Sequence, residues 1–435
     1  MRISGYCYTV APFMVSDDYP LKIYGVFMNQ TTNSHDELIT EELDSWKGWV
    51  SVGCAFVSTF VCFGIAYSFG AFFDSMSLDF GASRTATSAV FSITTFIFFI
   101  GGIISGSAAD RFGPKPVLIF GGLTMGLGLY LTSLVNSIWV GYVTYGLGVG
   151  IGVACGYVPM VAVVGAWFEK RRAAALGIAV TGIGFGTLLM APLAASLINR
   201  FGWRQTYVIF GVASAVMLVI CAFITPRSPV FPEQETKNRL KDVIKTPVFR
   251  YMYLSGFLNT LALFFPFVFL APYARAQGIN DVAAASLVGI IGGASIVGRL
   301  GFGALGDKIS RIRLFQTTFF LVAVSFSLWL LASKSYVMLV SFAVLLGAGY
   351  GGFIALSPAV AAELFGLVGL GSILGAMYTA AGFGGLLGPP MAGYLIDSTG
   401  SYTPAIISAM VLAFLAFLFL IPVERFMHSH IQSRS

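Results

Sequence analysis

Arg299 is the one charged residue between Asp281 and Asp307, in a stretch, SIVGRLGFGALGDK from Ser295 to Lys308, that otherwise suits lipid. A guanidinium presents a planar fork that grips a carboxylate through two parallel hydrogen bonds. Arg299 lies eight residues before Asp307, about 12 Å along a helix, which puts it near the middle of a hydrocarbon layer roughly 30 Å thick. Charge at that depth costs roughly 2.5 to 3.5 kcal/mol on insertion scales, so the side chain is expected to face a cavity or a partner. The competing role is a structural ion pair. Tyr67, Tyr157, Tyr350 and Tyr378 also fall inside apolar runs, where a phenol can donate a hydrogen bond from an apolar wall. Asn259 is comparable, and Ser295 stands one helical turn before Arg299 on the same face. Packing or a helix–helix hydrogen bond is the alternative for each. Glu363 reads as a loop charge before it reads as a titratable coupling group.

These residues could hold a small anion around one cation, but they assemble no acid–base or metal centre. Two of the three histidines fall near the C-terminal end, the five cysteines contain no CxxC pair, and no Walker phosphate loop is present. No catalytic residue, metal or cofactor is expected, and the cysteines read as small hydrophobes.

Composition sets the elements that must carry these groups. The chain has 435 residues, of which 57% are hydrophobic and only 10% charged. Runs of about 18 or more apolar residues mark membrane-spanning helices, and twelve can be drawn: 49–73, 86–109, 116–135, 138–166, 173–196, 203–225, 251–274, 282–305, 314–333, 336–359, 369–395 and 403–422. They are continuous rather than alternating, which excludes a membrane β-barrel. The expected fold class is an all-α membrane protein of twelve transmembrane helices.

The net charge of +6 does not point to nucleic acid, because the basic residues follow the membrane. With both termini on one side, that side collects 19 Lys and Arg and the other five, with Arg299 between them. The bias places both termini in the cytoplasm. The tail before the first run holds no uninterrupted apolar segment with a cleavage site, and no signal peptide is expected.

Self-comparison shows a duplication. GSAADRFGPK (Gly106 to Lys115) and GALGDKISRI (Gly303 to Ile312) both contain G-x-x-x-D followed by a base, 197 residues apart. LLMAPLAASLINRFGW from Leu188 and LLGPPMAGYLIDSTGS from Leu386 match at an offset of 198. The chain therefore reads as two six-helix pseudo-repeats, 47–225 and 251–423, joined by a charged cytoplasmic linker at 226–250, with tails at 1–46 and 424–435. Counting back 197 residues from Arg299 lands on Gly102, so folding of the repeat does not require the charge. Six plus six parallel repeats are the architecture of the major facilitator superfamily, whose substrates bind between the halves. Asp110, Arg111, Asp307 and Lys308 of the duplicated motif, with the basic loop Lys170, Arg171 and Arg172, are the expected gating groups.

Within that superfamily, WFEKRRAAALGIAVTGIGFG (Trp167 to Gly186) resembles the segment that opens the fifth helix of monocarboxylate transporters. LLGPPMAGYLIDSTGSY (Leu386 to Tyr402) resembles the end of their eleventh helix, and PFVFLAPYARAQGI (Pro266 to Ile279) their seventh. DSWKGW (Asp44 to Trp49) is an altered form of their first-helix signature. Length and short tails are closest to the microbial branch, which includes oxalate and formate exchangers. The resemblance implies that Arg299 anchors the substrate carboxylate, with Ser295, Tyr67, Tyr157, Asn259, Tyr350 and Tyr378 as candidate site residues. It implies a secondary active transporter for a small monocarboxylate or dicarboxylate, driven by proton symport or anion exchange and working as a monomer in a plasma or inner membrane. Proton-coupled members carry an acid where Ser295 stands, and many carry a lysine where Ala71 stands. A receptor or scaffold that keeps the fold without transporting is the alternative class.

Overall fold

The computed structural model describes residues 43–226, 238–306, 308–332, 334–366 and 370–432. Most of the N-terminal tail, part of the linker and the gating candidate Asp307 lie outside them. Among the described residues, twelve helices are long and apolar enough to cross a membrane. In the first half, spans 1 to 6 are Trp46–Phe80, Arg84–Phe112, Pro114–Leu134, Ile138–Trp167, Ala174–Phe201 and Trp203–Ile224. In the second, spans 7 to 12 are Pro247–Ala276, Asp281–Leu305, Arg311–Ala332, Tyr336–Phe365, Leu370–Thr399 and Thr403–Glu424. Several run past the limits drawn from apolarity; span 1 reaches Phe80 and span 10 Phe365. A helix satisfies its own backbone, so it continues through polar residues into the headgroup layer where apolarity has already ended.

The chain enters span 1 and leaves span 12 on one side, and the loop between spans 6 and 7 lies there too. This is the terminal side. In that loop, a helix at Asn238–Lys245 lays Leu240 and Val243 against Phe249, Phe365 and Ile373.

The duplication extends to backbone geometry. Span 1 is interrupted at Ser68 and span 7 at Phe264, where ψ flattens to −4° and −12°. Gly81 and Gly278 close those spans at positive φ, and Gly202 and Gly400 close spans 5 and 11 in the same way. A residue with a Cβ is strained there, which fixes glycine at matching places in each copy. Close approach repeats as well. A methyl group on Gly186 would collide with the Phe60 carbonyl of span 1, and one on Gly384 with Thr260 of span 7.

The seam between the halves differs at its two ends. On the side opposite the termini, Asp74 of span 1 pairs with Arg275 of span 7 at 2.7 Å, and Arg275 also donates to the Gly70 carbonyl at 3.0 Å. Asp397 at the end of span 11 accepts from the Arg84 and Thr85 backbone N–H groups at 3.2 and 2.9 Å and from the Thr85 hydroxyl at 2.8 Å, which caps span 2 across the seam. Moving inwards, a methyl group on Gly184 of span 5 would run into Ile296 and, at 2.8 Å, the Gly292 carbonyl of span 8. One on Gly382 of span 11 would lie 3.2 Å from Phe99 of span 2. Two turns further towards the terminal side, on the same faces, methyl groups on Gly177, Gly303 and Gly375 would touch nothing within 4 Å. The seam is closed from the opposite side down to the level of Arg299 and parted beyond it.

Candidate functional site

Arg299 sits where the seam parts. It lies six residues before Leu305, the end of span 8, about 9 Å along the helix, so it sits halfway between the middle and the terminal end of its span. Its side chain crosses to the first half, where Nη1 donates to the Val180 carbonyl of span 5 at 2.6 Å. The guanidinium carbon stands 5.7 Å from the centre of the Tyr350 ring of span 10, within cation–π reach. The residue is only 7% exposed, and Nε and Nη2 have no partner among the described residues. No carboxylate among the described residues pairs with it.

Around it the structure brings together all four tyrosines. The Tyr350 hydroxyl shares a hydrogen bond of 3.2 Å with that of Tyr67, again across the seam. Tyr157 of span 4 is close enough to the guanidinium to feel its charge, and Tyr378 of span 11 is its neighbour in turn. Aromatic rings fill the wall between them. Tyr67 lies on Phe267 at 4.4 Å, Phe63 meets Tyr157 edge-on at 5.3 Å, and Phe99 reaches Tyr378 at 6.2 Å. Phe63, Tyr67, Phe91, Phe98, Thr94 and Thr95 border a small hollow beside this wall. The result is one cation with free donors, a few phenols and otherwise apolar rings.

The other candidates stand apart from this group. Ser295 is buried and donates to Gly292 of its own helix at 2.7 Å; its backbone carbonyl is packed under Gly351 of span 10. Asn259 is fully buried with neither amide atom bonded to a described residue. It stands one turn after Ser255, whose hydroxyl donates to the Ala416 carbonyl at 2.7 Å, so it shares the face that looks to span 12. Glu363 is exposed at the end of span 10.

Among the gating candidates, Asp110, Arg111, Lys170, Arg171, Arg172 and Lys308 are exposed on the terminal side. Asp110 pairs with no described residue, and Arg111 lies over the Phe112 ring at 5.2 Å. Arg172 donates to the Gly165 carbonyl at 2.6 Å. Lys170 and Arg171 contribute through their backbone: with Glu169 they donate N–H groups to the Asp44 carboxylate at 3.1, 3.2 and 3.4 Å. Asp44 itself adopts φ 56°, a left-handed conformation that a short polar side chain tolerates. Desolvation works to raise its pKa, but the three N–H donors and the Arg171 charge hold the carboxyl below its usual value.

Sequence reading passed over Asp44 as a clamp, and over Asp74, Arg275 and Asp397. The available signal was a carboxylate or guanidinium at the end of an apolar run, which reads equally as a headgroup-zone charge. Asp79 was also missed; it accepts from the Trp203 indole at 2.7 Å and pairs with Arg204, tying span 1 to span 6.

The sequence pattern that defines the Major Facilitator Superfamily matches residues 55–333 and 252–434. Monocarboxylate transporter 13 of Rattus norvegicus is 31% identical over 381 residues, covering 85% of this chain and 87% of that protein. Monocarboxylate transporter 3 of the same organism is 32% identical over 382 residues, covering 82% and 76%. Monocarboxylate transporter 2 of Homo sapiens is 29% identical over 394 residues, covering 82% and 81%. In fold, the chain is similar to a bacterial homologue of the human lysosomal transporter Spinster, crystallised in an inward-facing and occupied conformation. The TM-score is 0.71 at 15% identity, over 86% of this chain and 96% of that one. With twelve helices in two repeats, a seam that parts at a buried arginine, and relatives of this similarity along most of its length, the chain belongs to the monocarboxylate transporter family of the major facilitator superfamily.

Proposed function

We propose that this transporter moves a small monocarboxylate by alternating access and that Arg299 holds the carboxylate. The observation that carries the reading is a buried guanidinium at the point where the seam parts, with two donor atoms that have no partner among the described residues. One cation suits one carboxylate; a dicarboxylate such as oxalate would set its second charge against aromatic rings. The names of the relatives support the same class. The halves 47–225 and 251–423 rock about the seam, linked through 226–250. Asp110, Arg111, Asp307, Lys308 and the Lys170–Arg172 loop act on the terminal end when it closes. The excess of basic residues puts that end, with both termini, in the cytoplasm of a plasma or inner membrane. The protein works as a monomer and couples to a proton or a counter-anion.

Uptake of acetate, pyruvate, L-lactate and benzoate into proteoliposomes tests this. Arg299→Lys keeps the charge and loses the fork; Arg299→Gln loses both. Transport should fall in the order wild type, Lys, Gln. The Gln variant gives up about 2 to 3 kcal/mol, a roughly 30- to 150-fold loss of affinity. Asp110→Asn in the same assay should lower the maximal rate and leave affinity unchanged. A stable, inserted Arg299→Gln protein with wild-type rate and affinity would overturn the assignment.

A further inference from the structure

The helix Asn238–Lys245 precedes span 7 without continuing into it. Thr246 between them is extended, with φ −70° and ψ 142°; its hydroxyl accepts from the Phe249 N–H at 3.2 Å and donates to the Val243 carbonyl at 2.7 Å. The chain turns there, and the helix crosses the terminal-side ends of spans 7, 10 and 11, held by Leu240 and Val243. The first half secures the same place by other means. Counting 197 residues on from Asp44 lands on Lys241. Asp44 ties its segment to the loop after span 4 through a carboxylate, whereas the linker helix reaches the end of span 10 through apolar contact alone. Its charges are therefore not used in docking.

Lys241, Ile244 and Lys245 share one face of that helix. All three are exposed, Ile244 by 42%, and Arg250 is exposed in the first turn of span 7. No carboxylate among the described residues pairs with Lys241, Lys245 or Arg250. The single acid on the helix, Asp242, does not balance the three bases. In helical projection Ile244 falls between the docked stripe of Leu240 and Val243 and the two lysines, so the apolar stripe is wider than the protein surface that covers it.

We infer that this face binds the headgroups of anionic phospholipids, with Ile244 set at the boundary of the acyl chains. The depth is right, because span 7 begins at Pro247, two residues past Lys245. An apolar stripe edged by lysines is the pattern of helices that lie in the membrane interface, and the arginine stem can lift its charge from the first turn of the span to the same level. Water would leave Ile244 with nothing to cover it, and a zwitterionic headgroup would leave three bases short of a counter-charge. The leaflet on the side that collects the basic residues is the one rich in anionic lipid. The site is independent of what Arg299 holds. A lipid bound there keeps the helix on Phe365 and Ile373, and so fixes the point at which the linker leaves the second half.

Hydrogen exchange of the intact protein in nanodiscs tests this, read on the backbone N–H groups of residues 240–245. One set of discs holds phosphatidylcholine alone; in the other, about one third is phosphatidylglycerol. Exchange should be slower in the second set, by roughly fivefold for each base engaged. Raising salt from about 0.05 M to about 0.5 M should erase the difference, and inorganic phosphate added to the first set should not reproduce it. Replacing all three bases, as Lys241→Gln, Lys245→Gln and Arg250→Gln, should abolish the lipid effect and leave exchange in phosphatidylcholine unchanged, because docking rests on Leu240 and Val243. Ile244→Ser keeps the bases and should speed exchange in both sets. Equal exchange of the wild-type protein in the two sets would overturn the site. Protection by inorganic phosphate would put a free anion in place of the lipid, a lipid effect that survives the triple substitution would remove the bases from it, and an unaltered Ile244→Ser protein would lift the helix out of the interface.

Discussion

Gly184 and Gly177 lie on one face of span 5, two turns apart, and their surroundings are opposite. The first is jammed against Ile296 and the backbone of span 8; the second faces open space. The same division runs through span 11, where Gly382 meets Phe99 and Gly375 meets nothing. At the closed end, carboxylates from both halves secure the fit, Asp74 reaching a guanidinium and Asp397 reaching main-chain amides. At the parted end, no ion pair joins the halves among the described residues. Closure here is made by shape and by carboxylates placed within one turn of a partner helix end. Between the two ends, at the level of Arg299, aromatic contacts join the halves, Tyr67 on Phe267 and Phe99 on Tyr378.

The largest test of this contrast is steric. Gly184→Leu overpacks the closed end by about 1 to 3 kcal/mol, which should shift the population away from this state by roughly 5- to 150-fold. Gly177→Leu should not. An added Gly375→Cys reports the outcome through its alkylation by a membrane-impermeant maleimide from the terminal side: slower with Gly184→Leu, unaltered or faster with Gly177→Leu. Equal labelling in the two backgrounds would remove the distinction between the ends.

A smaller effect is expected from the carboxylates. Asp397→Ala deletes the cap on span 2 and should cost about 1 kcal/mol, roughly a fivefold loosening of the closed end. Asp74→Ala should do less, because that pair is partly exposed and such pairs contribute about 0 to 1 kcal/mol. Labelling of Ala271→Cys, fully buried beside Gly70 of span 1, from the opposite side would report both. A larger response to Asp74→Ala than to Asp397→Ala would reverse the ranking.

The smallest effect lies wholly within the first half. Asp44→Ala frees the loop at Glu169 to Arg171 without touching the seam, so trypsin should cut at Lys170 to Arg172 several-fold faster while transport holds. Because the Asp44 carboxyl is held below its ordinary value, its contribution is complete above about pH 4, the ordinary carboxylate range. It is lost only as pH falls through the lower value of the folded state. Loop protection should therefore be flat across neutral pH, and a decline between pH 8 and 6 would contradict the clamp.

The spans were legible because lipid demands long apolar helices, and the duplication because two motifs recur at nearly one offset. Arg299 stood out for the same reason, as a charge where the first repeat has Gly102, a residue packed against Val158 of its own half. The tyrosine group was legible only as four separate phenols; their convergence depends on which face each helix turns to the seam, which apolar spans hardly encode. Asn259 shows the same limit, since a polar residue in an apolar helix signals a need for a partner without saying on which side. The breaks at Ser68 and Phe264 escaped notice because neither residue forbids a helix. The seam carboxylates were hidden by separation: Asp74 and Arg275 are 201 residues apart, Asp397 and Thr85 312.

That separation bears on the order of assembly. Span 2 inserts early in synthesis with its first backbone N–H groups turned to the side opposite the termini, and the carboxylate that receives them arrives only at the end of span 11. Asp44 obtains its donors much sooner, 125 to 127 residues on, once span 4 is in place. A ribosome-bound first half can thus settle its terminal-side loop while its opposite face still has nothing to close against. A chain that ends before span 11 therefore lacks the carboxylate that receives those N–H groups, and the first turn of span 2 is left without its cap from the other half.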